Sequence, residues 1–174
     1  MKFINPQNVV SQMGLKNGFT VADLGAGAGF FSIAAANIVG NTGVVYAVDV
    51  QQSKLTAVSS SASQQGLKNI QIIQADLEQA VKAIPDASCD AVMMASVIHE
   101  VKSRTMLLQN AYRILKTGGV VLAVDWKAEH TLFGPSLERR IPEQQLEEEL
   151  HNLGFKKLKS IPADQFHYAM LLQK

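Results

Sequence analysis

The chain has 174 residues, 47% of them hydrophobic and 18% charged, with a formal net charge of +1. That composition excludes a disordered chain, which would be charge-rich and poor in apolar residues, and the near-neutral balance argues against a dedicated nucleic-acid binder. A single cysteine, Cys89, excludes a disulfide scaffold, and twelve glycines without a period exclude a collagen.

The length suits one domain, with residues 1–18 as a leading segment and 19–174 as the core. Asn5-Pro6 reads as the N-cap and first position of a short leading helix. Residues 21–24 form an apolar run that ends in glycines, the mark of a buried strand. Residues 30–39 follow as a helix, with Gly40 where it stops. A second strand is expected over 44–48. A helix over 53–65 comes next, with Ser53 as N-cap and Gly66 as terminator. Then come a third strand over 70–73, a short helix over 77–83 and a fourth strand over 90–95. Residues 104–115 carry apolar side chains at helical spacing. Gly118-Gly119 then turns the chain into a fifth strand over 120–124. Residues 143–153 read as an amphipathic helix. Residues 155–161 and 166–172 read as strands separated by Pro162-Ala163-Asp164-Gln165, a connection short enough only for an antiparallel pair.

The alternation of strands and helices argues for an α/β fold: a mostly parallel, doubly wound sheet with helices on both faces. The strands are continuous apolar runs, as expected when both faces are covered. No apolar run is long enough for a transmembrane helix. The first residues lack the apolar stretch of a secretory signal. A lone cysteine suits a reducing compartment, so the expected location is cytoplasmic.

The sharpest local signal is Asp23-Leu24-Gly25-Ala26-Gly27-Ala28-Gly29, placed between a strand and a helix. Glycines let the backbone turn tightly and let a ligand come close. Dinucleotide folds use G-x-G-x-x-G to seat a pyrophosphate. Here the pattern is G-x-G-x-G with Phe30 at the sixth position, which suits a ligand without pyrophosphate whose amino-acid end lies over the loop. Asp49 closes the second strand, where a carboxylate can accept from two ribose hydroxyls. Asp76 ends the third strand and could accept from an adenine amine or cap the next helix. All three lie at the carboxyl ends of strands, where open α/β sheets bind ligands.

These residues resemble a class I S-adenosylmethionine-dependent methyltransferase. VADLGAGAGFF is similar to the family's first motif, VVYAVDV to its second and IQADLE to its third. CDAVMMASVIHEV and ILKTGGVVLAVDW are similar to the segments around its fourth and fifth strands. The His99-Glu100-Val101 step and the closing helix and hairpin resemble the small ubiquinone/menaquinone-biosynthesis type. The resemblance implies a Rossmann-like seven-stranded sheet with the last strand inserted antiparallel. It implies S-adenosylmethionine as cofactor, with S-adenosylhomocysteine as product. Gly25, Ala26, Gly27 and Gly29 would then admit the methionine portion, Asp49 the ribose and Asp76 the adenine amine. Val50 and Leu77 would cover the adenine faces, and Ala95 and Ser96 would lie near the sulfonium. Asp23 would orient the loop or meet the ammonium through water.

Methyl transfer is an in-line displacement with a neutral leaving group, so alignment supplies much of the acceleration. A base is needed where the acceptor carries a proton. His99 is the base candidate, since imidazole titrates near neutral pH. Glu100 either orients it or is solvated. Asp125-Trp126 ends the fifth strand at the same mouth, and Trp126 could wall the acceptor pocket. Arg139-Arg140 could receive an anionic acceptor or be solvated. No cluster has metal-ligand spacing, and no metal is expected. The expected activity is methyl transfer to a small-molecule acceptor. Methylation of RNA or protein is an alternative that the charge balance disfavours for RNA. A nicotinamide-dependent or non-catalytic nucleotide-binding protein is another, which Phe30 in place of the last glycine disfavours. No membrane span is expected, and a homodimer is compatible with the sequence.

Overall fold

A computed structural model describes residues 4–174. The first three residues of the leading segment lie outside the described residues. The chain begins with a short helix α1 (Pro6–Val10), capped as its sequence predicts: the Asn5 side chain accepts from the Asn8 amide at 3.2 Å. The first half then runs β1 (Thr20–Leu24), α2 (Phe30–Val39), β2 (Val44–Asp49), α3 (Gln52–Gln64) and β3 (Ile70–Gln74). The second half runs β4 (Cys89–Ala95), α4 (Arg104–Ile114), β5 (Leu115–Trp126), α5 (Glu143–Asn152), β6 (Lys156–Ser160) and β7 (His167–Gln173).

The strands form one seven-stranded sheet in the order β3-β2-β1-β4-β5-β7-β6. The pairs from β3 to β5 are parallel, while β7 runs antiparallel to both β5 and β6. This is the expected sheet, with one antiparallel strand supplied by the C-terminal hairpin. Strand residues alternate between two cores because side chains alternate across a strand. Val92, Met94, Val121 and Ala123 pack with α4 and α5, while Ala91, Met93, Leu122 and Val124 pack with α1 and α2. Both faces are therefore dry, which is why the strands carry unbroken apolar runs. The order of connection reverses beside β1, between β1 and β4, and a ligand crevice belongs above such a switch point.

Three local expectations are corrected. Residues 77–83 are turns rather than a helix. Apart from short turn bonds such as Lys82 N–H to the Ala80 carbonyl, their backbone groups are met by side chains of α4 rather than by a helical ladder. The Asn110 amide donates to the Leu77 and Gln79 carbonyls at 3.2 and 2.7 Å and accepts from the Val81 amide at 3.1 Å. Arg113 donates to the Val81 and Ile84 carbonyls. The N-cap position of helix α3 is Gln51 rather than Ser53, because the Asp49 carboxylate accepts the Gln51 amide at 2.9 Å and fixes the turn two residues earlier. Strand β5 starts at Leu115, directly after α4, since Leu115 already pairs with Cys89 ahead of a register shift.

Candidate functional site

The loop after β1 is tied down on its outer side. The Gly25 and Ala26 amides donate to the Val48 carbonyl at 2.8 and 2.9 Å, Gly27 donates to Asp49 Oδ2 at 2.9 Å, and Gly29 donates to the Ala26 carbonyl at 2.8 Å. Four loop N–H groups are thus consumed within the protein, unlike a phosphate-binding loop, which aims its amides at the ligand.

The three glycines do different jobs. All have positive φ, at 80°, 53° and 85°. A Cβ on Gly25 would stand 2.3 Å from Val97 Cγ2, and one on Gly29 would stand 2.8 Å from Val58 Cγ2. Those two are glycine because neighbouring elements press on them. A Cβ on Gly27 would meet nothing within 4 Å, because Gly27 faces open space.

That space is a crevice of about 700 Å³ between the glycine loop and the ends of β2 and β4. Asp49 and Lys54 line it on the β2 side, and Ala95, Ser96, Val97 and Glu100 on the β4 side. Ile4 and Pro6, from the start of the leading helix, border it. Among the described residues Ser96 is one of two non-glycine residues with positive φ, at 55°. Its strained turn carries Val97 onto Gly25 and so locks the β4 loop against the β1 loop. Beneath the loop Asp23 is 1% exposed. Ser32 Oγ donates to its Oδ2 at 2.6 Å, and its Oδ1 has no partner. Burial pushes its carboxyl up from 3.8 to about 6, with the Ser32 bond opposing.

The structure brings Gly25, Ala26, Gly27, Asp49, Ala95 and Ser96 together around the crevice. Asp23 and Gly29 sit just behind the wall. Asp76 is exposed and bonds the Glu78 amide at 2.9 Å, Val50 is 56% exposed, and Leu77 is buried in the core beside α4. None of those three lines the crevice.

His99 lies on the far side of Glu100, in a second cavity of about 520 Å³ that Glu100 also lines. Its Nδ1 is 2.6 Å from Asp125 Oδ1, and its backbone N–H donates to Asp125 Oδ2 at 3.1 Å. Asp125 is wholly buried, and the His99 side chain is 6% exposed. Asp125 is the residue that sequence reasoning missed as a partner. The end of the fifth strand puts it at the same mouth, but nothing local announces a contact across 26 positions.

Trp126 and Arg140 are both engaged by the fold. The Trp126 ring packs against His167 with centroids 4.1 Å apart and planes tilted by 49°, and Arg140 lies 5.3 Å from the Trp126 ring centre. Arg140 is 6% exposed. It donates to the carbonyls of Lys127, Glu129, Phe133 and Pro135 and to Thr131 Oγ1, so it pins the 127–140 loop from beneath. Arg139 is exposed, as is His130. Among the described residues no group of three or more metal-binding side chains could hold an ion, and no helix is long and apolar enough to cross a membrane.

This sheet order and crevice define the fold of the class I S-adenosylmethionine-dependent methyltransferases. The family model of the methyltransferase domain matches residues 15–168, and the chain belongs to that family. It is 28% identical over 121 residues to the ubiquinone/menaquinone biosynthesis C-methyltransferase UbiE of Marinomonas sp. (strain MWYL1), covering 69% of this chain and 47% of that one. It is 27% identical over 128 residues to the demethylmenaquinone methyltransferase of Geobacillus stearothermophilus, covering 74% and 53%. The chain thus spans about half the length of the curated relatives it matches. A crystal structure of a SAM-dependent methyltransferase from Aquifex aeolicus superposes with a TM-score of 0.88 at 28% identity, covering 98% of this chain and 89% of that one. The [4+2]-cyclase SpnF superposes at 0.80 with 16% identity, so the shared fold does not by itself fix the reaction.

The crevice fits S-adenosylmethionine on its own features. The open position at Gly27 leaves room for the amino-acid portion. Asp49 retains lone pairs beyond its two backbone bonds, and no row of free amides awaits a pyrophosphate.

Proposed function

We propose that the protein transfers the methyl group of S-adenosylmethionine to a small-molecule acceptor. The observation that carries this reading is the crevice at the switch point, floored by Gly27 with open space above it and walled by the Asp49 carboxylate. When bound, the cofactor supplies an electrophilic methyl on a cationic sulfur. Gly27 admits the methionine portion, Asp49 accepts from the ribose hydroxyls, and Ala95 and Ser96 border the reacting end. Asp23, ionised above about pH 6, supplies a negative charge beneath the loop for the ligand's ammonium.

His99 removes the acceptor's proton. Its Nδ1 faces a buried carboxylate that can only accept, so Nδ1 carries the hydrogen and Nε2 keeps the lone pair. Asp125 fixes this tautomer and stabilises the imidazolium formed by proton uptake. The remaining acceleration comes from alignment. The free thiol of Cys89, which burial pushes up to about 11, suits a reducing compartment such as the cytoplasm.

Titration calorimetry with S-adenosylmethionine, S-adenosylhomocysteine and NAD tests the reading. The two sulfur compounds should bind and NAD should not. Binding of NAD without response to either sulfur compound overturns it.

A further inference from the structure

The second cavity has a composition unlike that of the crevice. Ile98, Val101 and Ile141 give it an apolar floor. Lys102 and Arg139 also line it, and neither side chain has a partner among the described residues. Helix α4 starts at the same place with no side-chain cap at Ser103 and no acidic residue in its first turn, so its amide end adds positive potential. Glu138 stands on the rim as a counter-charge.

His99 sets the cavity's chemistry. Its side chain is more than nine-tenths buried, with Nδ1 held by Asp125. Its Nε2 has no hydrogen-bond partner, and the nearest charged atom is Glu100 Oε1 at 3.9 Å. Nε2 is not among the sealed polar atoms that lack a partner, so its lone pair opens onto the cavity while the rest of the ring is held by the fold. Glu100 lines both the cavity and the crevice, so the two spaces adjoin across one side chain.

Resting on the methyltransferase reading, we infer that this cavity is the acceptor site and that it takes a small acid bearing both a carboxylate and an ionisable hydroxyl. The planar fork of Arg139 and the ammonium of Lys102 receive the carboxylate. The hydroxyl donates to His99 Nε2. Its proton passes to that nitrogen, the imidazolium is held by Asp125, and the oxygen keeps the electron pair. Ile98, Val101 and Ile141 cover the carbon frame between them.

Titration of the isotope-labelled full chain with 4-hydroxybenzoate tests this by NMR, with benzoate and phenol as comparison probes. The expected result is amide shifts over residues 98–104 and 138–141, with benzoate binding more weakly and phenol not at all. The His99 Nε2 resonance should move with 4-hydroxybenzoate and not with benzoate. Arg139→Ala, an exposed position outside the core, should weaken 4-hydroxybenzoate at least fivefold. Shifts centred on residues 25–28, an Nε2 resonance that stays still, or equal affinity for the variant would each overturn the assignment. Calorimetry with S-adenosylmethionine on the same sample separates the two readings. Donor binding without hydroxy-acid binding removes the cavity assignment and leaves the methyltransferase. Hydroxy-acid binding without donor binding removes the methyltransferase reading and the acceptor role with it, and leaves only the cavity's ligand class.

Discussion

Asp23 and Asp49 lie within one loop of each other and face opposite environments. Asp23 is sealed under the glycine loop, and burial raises its carboxyl from 3.8 to about 6. Below about pH 4 it is protonated in both folded and unfolded chains. Between about 4 and 6 only the folded chain keeps the proton, so its contribution to stability falls as pH rises through that window and is flat above it. The rise corresponds to about 3 kcal/mol at 1.36 kcal/mol per pKa unit. Urea unfolding of wild type and Asp23→Asn at pH 4.5 and 7 should show the stability gap between them changing with pH. A constant gap would mean that Asp23 titrates normally. The same group makes donor binding pH-dependent. A cation above the loop favours the ionised carboxylate, so S-adenosylmethionine should bind more tightly at pH 7.5 than at pH 5.5. Asp49, at the crevice wall, is engaged by the Gly27 and Gln51 amides. Asp49→Asn removes the charged acceptor, and hydrogen bonds to charged groups are worth about 1.5–3 kcal/mol each. Donor affinity measured by calorimetry should drop by about tenfold or more, and unchanged affinity would remove Asp49 from the ribose.

Among the elements, the 127–140 loop depends on one buried side chain. Arg140 holds it through five donors, a number and geometry that lysine cannot supply. Arg140→Ala removes five hydrogen bonds made by a buried cation to part-buried acceptors and should cost about 3–5 kcal/mol. For a chain of this size that is a fall in Tm on the order of 10 °C, with early proteolytic cleavage within the loop. A variant that melts like wild type would show the loop to be held by other contacts. Arg140 also shows where sequence reading stops. From the chain alone it pairs with Arg139 as an exposed cation, because the carbonyls it serves come together only through the loop's own path. The strands were legible, since Val- and Ile-rich runs bounded by glycine leave few alternatives. Residues 77–83 were not, because Asn110 and Arg113, some thirty positions later, satisfy their backbone better than a helix would. The glycine loop and Asp49 were legible for the opposite reason: they are local, one turn and one strand end. The pairing of His99 with Asp125 joins two such ends, and only the adjacency of β4 and β5 brings it about.

At the scale of the whole molecule, the crevice sits where it can govern the stability of everything else. Strand β1 lies between β2 and β4, and the loops after all three meet at the crevice. The sheet is continuous from edge to edge, and both cores contain residues from its central strands. A ligand held there touches the part of the fold that cannot open without separating β1 from its neighbours. It should therefore stabilise one cooperative transition rather than a local segment. A ligand present at a hundred times its Kd adds about 2.7 kcal/mol, which corresponds to roughly 5–11 °C for a chain of this length. Saturating S-adenosylmethionine or S-adenosylhomocysteine should move a single calorimetric melting peak upward by such an amount, and NAD at the same concentration should leave it in place. Two separate peaks, of which only one responds, would mean that the halves of the sheet unfold independently. The crevice would then be an attachment to one half rather than the centre of a single folding unit.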